Sequence, residues 1–360
     1  MTNKKNKISI VFPLVVAGII TLFAKGYLKV PQEFATGVND SLESLDTGIT
    51  VTLMTYNVEN LFDTKDEQGK NDQTYLPLDL KNTAQHRQQC QKIERKQWRH
   101  ACFYLDWSDA TLHQKMSQLS RVIMSVGQHG PDILVLQEVE NKRVLSDFVQ
   151  KYLSKAKYQS VVLHEGKDPR GIDVAVVSRY PMLGQSYLHP IALQTEAEKQ
   201  TFDRRGVLEV SFQLPGQKHL LVYANHFPAP YHSYKDRVQG FQFLQKLQAR
   251  YPGALQIAAG DFNVATDEDQ RYQVLKTYVA PFWQIAHQQC ISCVGSSYYP
   301  PKKQWSFLDM VLLAGKIKLT KVAVIQKPWM LSEEGFPLSF SFRTGNGASD
   351  HLPIYVEISL

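Results

Sequence analysis

A chain of 360 residues with 43% hydrophobic and 21% charged side chains can bury one large core or two medium ones, which excludes a disordered polypeptide. The formal charge of +6 is a mild basic excess. It is compatible with nucleic acid or a phosphorylated substrate, but solubility alone accounts for it equally well.

In chain order, Lys4, Lys5 and Lys7 precede an uncharged run of 17 residues, Ile8 to Ala24, closed by Lys25. A basic start followed by an apolar stretch reads as a secretory signal or signal anchor over residues 1–30. Leu22-Phe23-Ala24 is not a clean small-x-small cleavage site, so an uncleaved anchor is an open alternative. Either form keeps the basic end cytoplasmic and exports the body to the periplasm or beyond. No second long apolar run follows, which excludes a multi-span membrane protein. Residues 31–50 are polar and aperiodic, as a linker is.

From Val51 onward, strand and helix patterns alternate. Val51-Thr52-Leu53-Met54-Thr55-Tyr56 is β-branched and aromatic, which predicts a strand. Met116, Leu119, Val122, Ile123 and Val126 have helical spacing, Asp132 to Leu136 reads as a buried strand, and Leu145, Phe148, Val149, Tyr152 and Leu153 mark a second amphipathic helix. Strands are expected at 160–164, 172–178, 206–213, 219–225, 255–259, 308–313, 320–326 and 353–358, with a helix at about 235–250. No fixed-period repeat is visible. The segment Asp63 to Asp109, rich in Gln, Lys and Arg, stands apart as an insertion, either a functional loop or a charged cover on the core. Many strands with interspersed helices predict an α/β sandwich rather than an all-parallel sheet.

The four cysteines are Cys90, Cys102, Cys290 and Cys293. In an exported protein an even count predicts disulfides, and the local pairs Cys90–Cys102 and Cys290–Cys293 are the simplest of three pairings. Cys290-Ile-Ser-Cys293 also has metal-ligand spacing, but a zinc site needs about four ligands and no second C-x-x-C exists.

Polar residues gather at the carboxyl ends of the predicted strands, where α/β folds assemble sites. Asn57 and Glu59 follow the first strand, and Glu138 the second. Asn225 and His226, then Asp261 and Asn263, follow later ones, and Asp350-His351 precede the last. Asp309 sits inside the apolar run Phe307 to Val311, where a buried carboxylate needs a partner such as histidine. Phosphodiester hydrolysis needs a hard cation on oxygen ligands, which Glu138, Asp350 and the Asn57 amide oxygen could supply. It also needs a base, for which Asp261 is the candidate, and donors to phosphate, for which Asn263, His226 and His351 are. Each residue alone is a weak signal, since an Asp after a strand is usually a cap or turn residue.

The ordered set Thr55-Tyr56-Asn57-Val58-Glu59-Asn60-Leu61-Phe62-Asp63, Leu136-Gln137-Glu138-Val139-Glu140-Asn141, Gly260-Asp261-Phe262-Asn263 and Ser349-Asp350-His351-Leu352-Pro353 resembles the endonuclease/exonuclease/phosphatase (DNase I-like) superfamily, in its bacterial exported form. The resemblance spans Val51 to the C-terminus, so residues 51–360 form its domain. It implies a four-layered α/β sandwich with two central mixed β-sheets. It implies Mg2+, or Mn2+ or Ca2+, held mainly by Glu138 with Asn57 and Asp350 nearby. It implies Asp261 as the group activating water with Asn263 beside it, His351 on the scissile phosphate, and Asp309 orienting a catalytic histidine. His226 matches the family's mid-chain histidine, with Asn225 beside it toward phosphate. Arg170 or Asp173, in Arg170-Gly171-Ile172-Asp173, is expected to face the site, and Arg204 or Arg205 to bind phosphate. The loop Phe227 to His232 and the 63–109 insertion match no substrate subgroup. The expected activity is a monomeric endonuclease on DNA or RNA. The alternatives are a phosphoesterase for small or lipid substrates and a non-catalytic binding module.

Overall fold

A computed structural model describes residues 48–194, 200–202 and 205–360. The expected signal or anchor, the linker up to residue 47, and Arg204 lie outside the described residues. The chain runs through β1 (Thr50–Leu61), α1 (Ala84–Gln91), α2 (Lys96–Tyr104), α3 (Asp109–Ile123), β2 (Ile133–Val139), α4 (Lys142–Tyr152), β3 (Ser160–Leu163) and β4 (Asp173–Ser178). Short strands β5 (Tyr187–His189), β6 (Ala192–Gln194) and β7 (Gln200–Phe202) lead to β8 (Val207–Gln213) and β9 (His219–His226). There follow α5 (Tyr234–Gln248), β10 (Leu255–Asp261), α6 (Thr266–Tyr272), β11 (Gln284–Ile285), β12 (Ser297–Tyr299) and β13 (Gln304–Ser306). The chain ends with β14 (Asp309–Ala314), β15 (Lys318–Val324) and β16 (Ile354–Ser359).

Two six-stranded mixed sheets result, ordered β15-β16-β1-β2-β4-β3 and β11-β14-β10-β9-β8-β5. Each has one parallel pair at its centre, β1 with β2 and β9 with β10, and antiparallel neighbours elsewhere. A parallel pair needs a crossover. The segment containing α3 makes the first, and α5 makes the second.

Side-chain alternation explains the layers. Val51, Leu53, Ile133 and Val135 meet Val222, Ala224, Ile257, Ala259 and Val311 in a core between the sheets. The opposite faces, with Met54, Tyr56, Leu134 and Leu136, pack on Met116, Leu119, Val144 and Phe148 of α3 and α4. Leu221, Tyr223 and Ala258 pack on Phe241, Leu244 and Leu247 of α5. The central strands are therefore buried on both faces, which is why they read as continuous apolar runs.

The insertion is a folded cap rather than an open loop. Tyr75 stacks on Phe62 at 4.1 Å, and Trp107 Nε1 donates to Phe62 O at 3.1 Å. Lys81 donates to the Thr74 and Leu105 carbonyls. Both expected disulfides form, with Cα separations of 5.6 Å for Cys90–Cys102, which ties α1 to α2, and 5.4 Å for Cys290–Cys293. Among the described residues no helix is long and apolar enough to cross a membrane.

Candidate active site

The alternation that fills the inter-sheet core places Asn57, His226, Asp261 and Asp309 on the same inner faces, at the mouth between the sheets. β1 and β2 both break register there, between Asn57 and Leu61 and between Gln137 and Val139. Glu59, Asn60 and Glu138 take φ of 51°, 63° and 67°, a left-handed conformation uncommon for residues other than glycine. The bulges let Asn60 N donate to Glu138 Oε2 at 3.1 Å. Gly260, at φ 150°, lets β10 approach β9 just before Asp261, since a Cβ there would lie 2.0 Å from Asn225 O.

Asp261 is buried and held on both oxygens. Asn57 Nδ2 donates to Oδ2 at 3.1 Å and Asn263 N to Oδ1 at 2.9 Å. Burial, then the Asp309 charge, pushes its carboxyl up to about 7. Asn263 Nδ2 donates to Phe227 O at 3.0 Å. Asp309, fully buried, meets His351 Nδ1 at 2.7 Å, so the histidine it orients is His351. Burial alone would push His351 down, but the Asp309 charge and hydrogen bond, with Asp350 and Asp261, hold it well above the ordinary histidine range, as an imidazolium. His226 is driven well below it by burial and by Arg205, Arg170 and His351, and stays neutral. Its Nε2 lies 3.7 Å from Asp261 Oδ2 and 4.0 Å from Glu138 Oε1.

Of the expected phosphate ligands, Arg170 and Arg205 converge on Asp168, at 3.5 and 3.8 Å, and their charges act on Glu138 and His226. Asp173 turns away: its Oδ1 accepts from Gly166 N at 2.8 Å, and burial pushes it up to about 7. Asn225 is fully buried, and its amide donates to Tyr223 O at 2.8 Å, within the sheet. Asp350 is exposed at the rim. Ser349 Oγ donates to Asn57 O at 2.7 Å and accepts from His351 N at 3.1 Å, joining the last loop to β1.

The donor set fits a hard cation. Burial and then Asp350 raise the Glu138 carboxyl, and burial and then Asp350 push Glu59 up to about 7, so several carboxylates crowd one mouth. Glu138, Asp350 and the Asn57 amide oxygen supply only oxygen ligands. Asp261, Asp309 and His351 also bring one donor atom each within 4.8 Å of one another, but the Asp309–His351 hydrogen bond occupies that contact.

Three contributors were missed in the sequence. Tyr75 of the insertion reaches toward the mouth, its phenol raised by burial and then by Glu138 and Glu59. Fully buried Lys115 donates to Ala348 O at 2.6 Å and lies 4.0 Å from Glu59 Oε2. Asp168 bridges the two arginines. A charged residue within the apolar stripe of α3 is the one clue that pointed to Lys115.

A mouth joining crowded carboxylates, an Asp-paired imidazolium and two arginines defines an ester hydrolase that acts on phosphate esters. The chain belongs to the Endonuclease/Exonuclease/phosphatase family, which it matches over residues 103–360. No curated protein matches its sequence. Its fold is similar to that of an endonuclease/exonuclease/phosphatase from Beutenbergia cavernae DSM 12333, with a TM-score of 0.53 and 16% identity over 86% of this chain and 72% of that one. Truncated Caenorhabditis elegans TDP2 is similar at a TM-score of 0.52 and 16% identity, over 87% and 98% of the two chains. A mannosyl-6-phosphatase from Bacteroides thetaiotaomicron VPI-5482 is similar at a TM-score of 0.54 and 14% identity, over 86% and 100%. These structures bear out the two-sheet α/β sandwich.

Proposed function

We propose that this protein is an exported, divalent-metal-dependent endonuclease that hydrolyses phosphodiester bonds of DNA or RNA. The observation that carries the reading is one mouth that holds the oxygen donors Asn57, Glu138 and Asp350 together with Asp261 and the Asp309–His351 pair, the two groups joined by the Asn57–Asp261 hydrogen bond. Asn57, Glu138 and Asp350 would hold Mg2+ or a similar ion. When bound, such an ion neutralises charge on a phosphate oxygen. Asp261 takes the proton of the attacking water; its two hydrogen bonds fix its direction, and a carboxyl near 7 accepts a proton readily at neutral pH. Asn263 is fixed beside it by the Phe227 carbonyl. His351 donates from Nε2 to a phosphate oxygen, with Asp309 setting its tautomer and charge. Neutral His226 offers a hydrogen bond to the phosphate or the leaving oxygen, and Arg170 and Arg205 neutralise the flanking charge. The basic-apolar N-terminal pattern and two disulfides support export.

The test is nicking of supercoiled plasmid by the purified protein with Mg2+, with and without EDTA, beside Asp261→Asn. Nicking that EDTA abolishes and Asp261→Asn slows by about 10²–10⁴-fold is expected. A folded protein that cuts neither DNA nor RNA but releases phosphate from mannose 6-phosphate would make it a small-molecule phosphatase instead.

A further inference from the structure

Two features that match no substrate subgroup meet beside the site. In the insertion, Lys92-Ile93-Glu94-Arg95-Lys96-Gln97-Trp98-Arg99 carries four cations against one acid. Trp98 is 52% exposed, with the Arg95 guanidinium 4.4 Å from its ring centroid. Tyr231, in the loop after His226, is 73% exposed, and the same guanidinium lies 6.0 Å from its ring. An arginine thus joins two exposed aromatic rings from segments more than a hundred residues apart.

Both segments are rigidly backed, as a surface for stacking must be. Arg95 and Trp98 lie inside the loop closed by the Cys90–Cys102 disulfide. Tyr231 sits on a turn whose carbonyls at Pro228, Ala229 and His232 all accept from fully buried Arg237. The Tyr231 phenol lies within electrostatic reach of Arg170, whose charge is opposed by burial but sustained by Asp168, Glu138 and Tyr231. Tyr231 therefore links the pair to Arg170 at the edge of the mouth.

We propose that Arg95, Trp98 and Tyr231 form a stacking platform for an unpaired nucleobase next to the scissile phosphate. This rests on the nuclease reading and names its preferred substrate, a single-stranded nucleic acid. Bases present a flat π-face to aromatic rings, and the Lys92–Arg99 strip suits a polyanion that continues past the cleaved bond. A monosaccharide phosphate has neither the continuing charge nor the length to use that strip.

The experiment compares kcat/KM for a single-stranded oligonucleotide with that for the same strand carrying abasic residues around the cut. Wild-type protein, Tyr231→Ala, Trp98→Ala and the ring-preserving Tyr231→Phe are compared, with circular dichroism as the folding control. Wild type should favour the base-bearing strand about tenfold or more. Each alanine variant should bring that ratio toward unity, mainly through KM, and Tyr231→Phe should retain it. Cleavage of both strands at equal rates by wild type, or a ratio untouched by both alanine substitutions, overturns the platform and leaves the nuclease standing. Hydrolysis of mannose 6-phosphate with no cleavage of any oligonucleotide overturns the nuclease reading and the platform together.

Discussion

Arg237→Met tests whether one buried guanidinium fixes the loop after His226. Arg237 is fully buried on α5. Its Nε donates to Glu268 Oε1 at 2.8 Å and its Nη2 to Glu268 Oε2; Nη1 donates to Pro228 O and Ala229 O, both at 3.0 Å, and Nη2 to His232 O at 3.2 Å. Methionine keeps most of the volume but leaves three carbonyls without that donor and a carboxylate, 11% exposed, without its partner. Breaking a buried pair by removing one side costs about 3–5 kcal/mol. For a folded unit spanning Ile49–Leu360, an unfolding entropy of about 2 cal/mol/K per residue turns roughly 4 kcal/mol into a fall in Tm of about 6 °C. The assay is thermal unfolding by near-UV circular dichroism of wild type, Arg237→Met, Glu268→Met and the double variant. Because most of the single-variant loss is the stranded carboxylate, the double variant should recover part of it, about 1–3 kcal/mol relative to additivity. A Tm for Arg237→Met within about 1 °C of wild type, or strictly additive effects, would refute this account.

Asp309→Asn should lower kcat/KM at neutral pH by about 10²–10⁴-fold, because His351 loses the charge that keeps it protonated against burial. Its raised pKa gives stability that is full below the unfolded value near 6.5 and lost as pH rises through the folded value, so the stability gap between wild type and variant should be widest in acid and shrink toward alkaline pH; denaturant titrations across pH check the sign. Millimolar Mg2+ should raise the Tm of wild-type protein but not of Glu138→Ala, since a ligand of the folded state stabilises it; equal shifts in both would move the ion elsewhere. Cys90→Ser/Cys102→Ser, which opens a loop with a sequence separation of 12, should cost about 2–3 kcal/mol by denaturant unfolding, and an unchanged midpoint would show that the cap is held by Lys81 and Trp107 instead.

The principal strands were legible because both of their faces are buried: the expected 172–178, 219–225 and 308–313 became Asp173–Ser178, His219–His226 and Asp309–Ala314. Asn57, Glu138, Asp261 and His351 were legible because short motifs at strand ends carry them. What the sequence hid depends on long-range packing. It offered two histidines for Asp309, and only the return of the last loop onto β1, through Ser349, selects His351. It left Arg170 and Asp173 as alternatives, and the turn at Gly166 separates them. Helix α1 has no apolar stripe, burying only His86 and Cys90, so its place is set by the Thr83 cap and the disulfide rather than by periodicity.

The chain shows no repeat in its residues, yet its two sheets repeat one plan. Matching β1 to β9, β2 to β10, β4 to β14, β3 to β11, β16 to β8 and β15 to β5 carries one strand order onto the other, with every parallel and antiparallel pairing preserved. Equivalent strand ends then hold different chemistry. Asn57 and Glu138 lie at the ends of one parallel pair, His226 and Asp261 at the ends of the other. Asp173 and Asp309 open equivalent strands, but one accepts from a backbone amide and the other from an imidazole. Backbone geometry constrains strand order through burial and hydrogen bonding, whereas the strand ends, where the chain passes into loops, are free to diverge. The end of the β1–β2 pair presents the oxygen donors Asn57 and Glu138, the end of the β9–β10 pair presents His226 and Asp261, and the loop entering β16 adds Asp350 to the first set and His351 to the second. The packed layer of Val135, Val222 and Ala224 between the sheets sets the distance across which those two sets act on one phosphate.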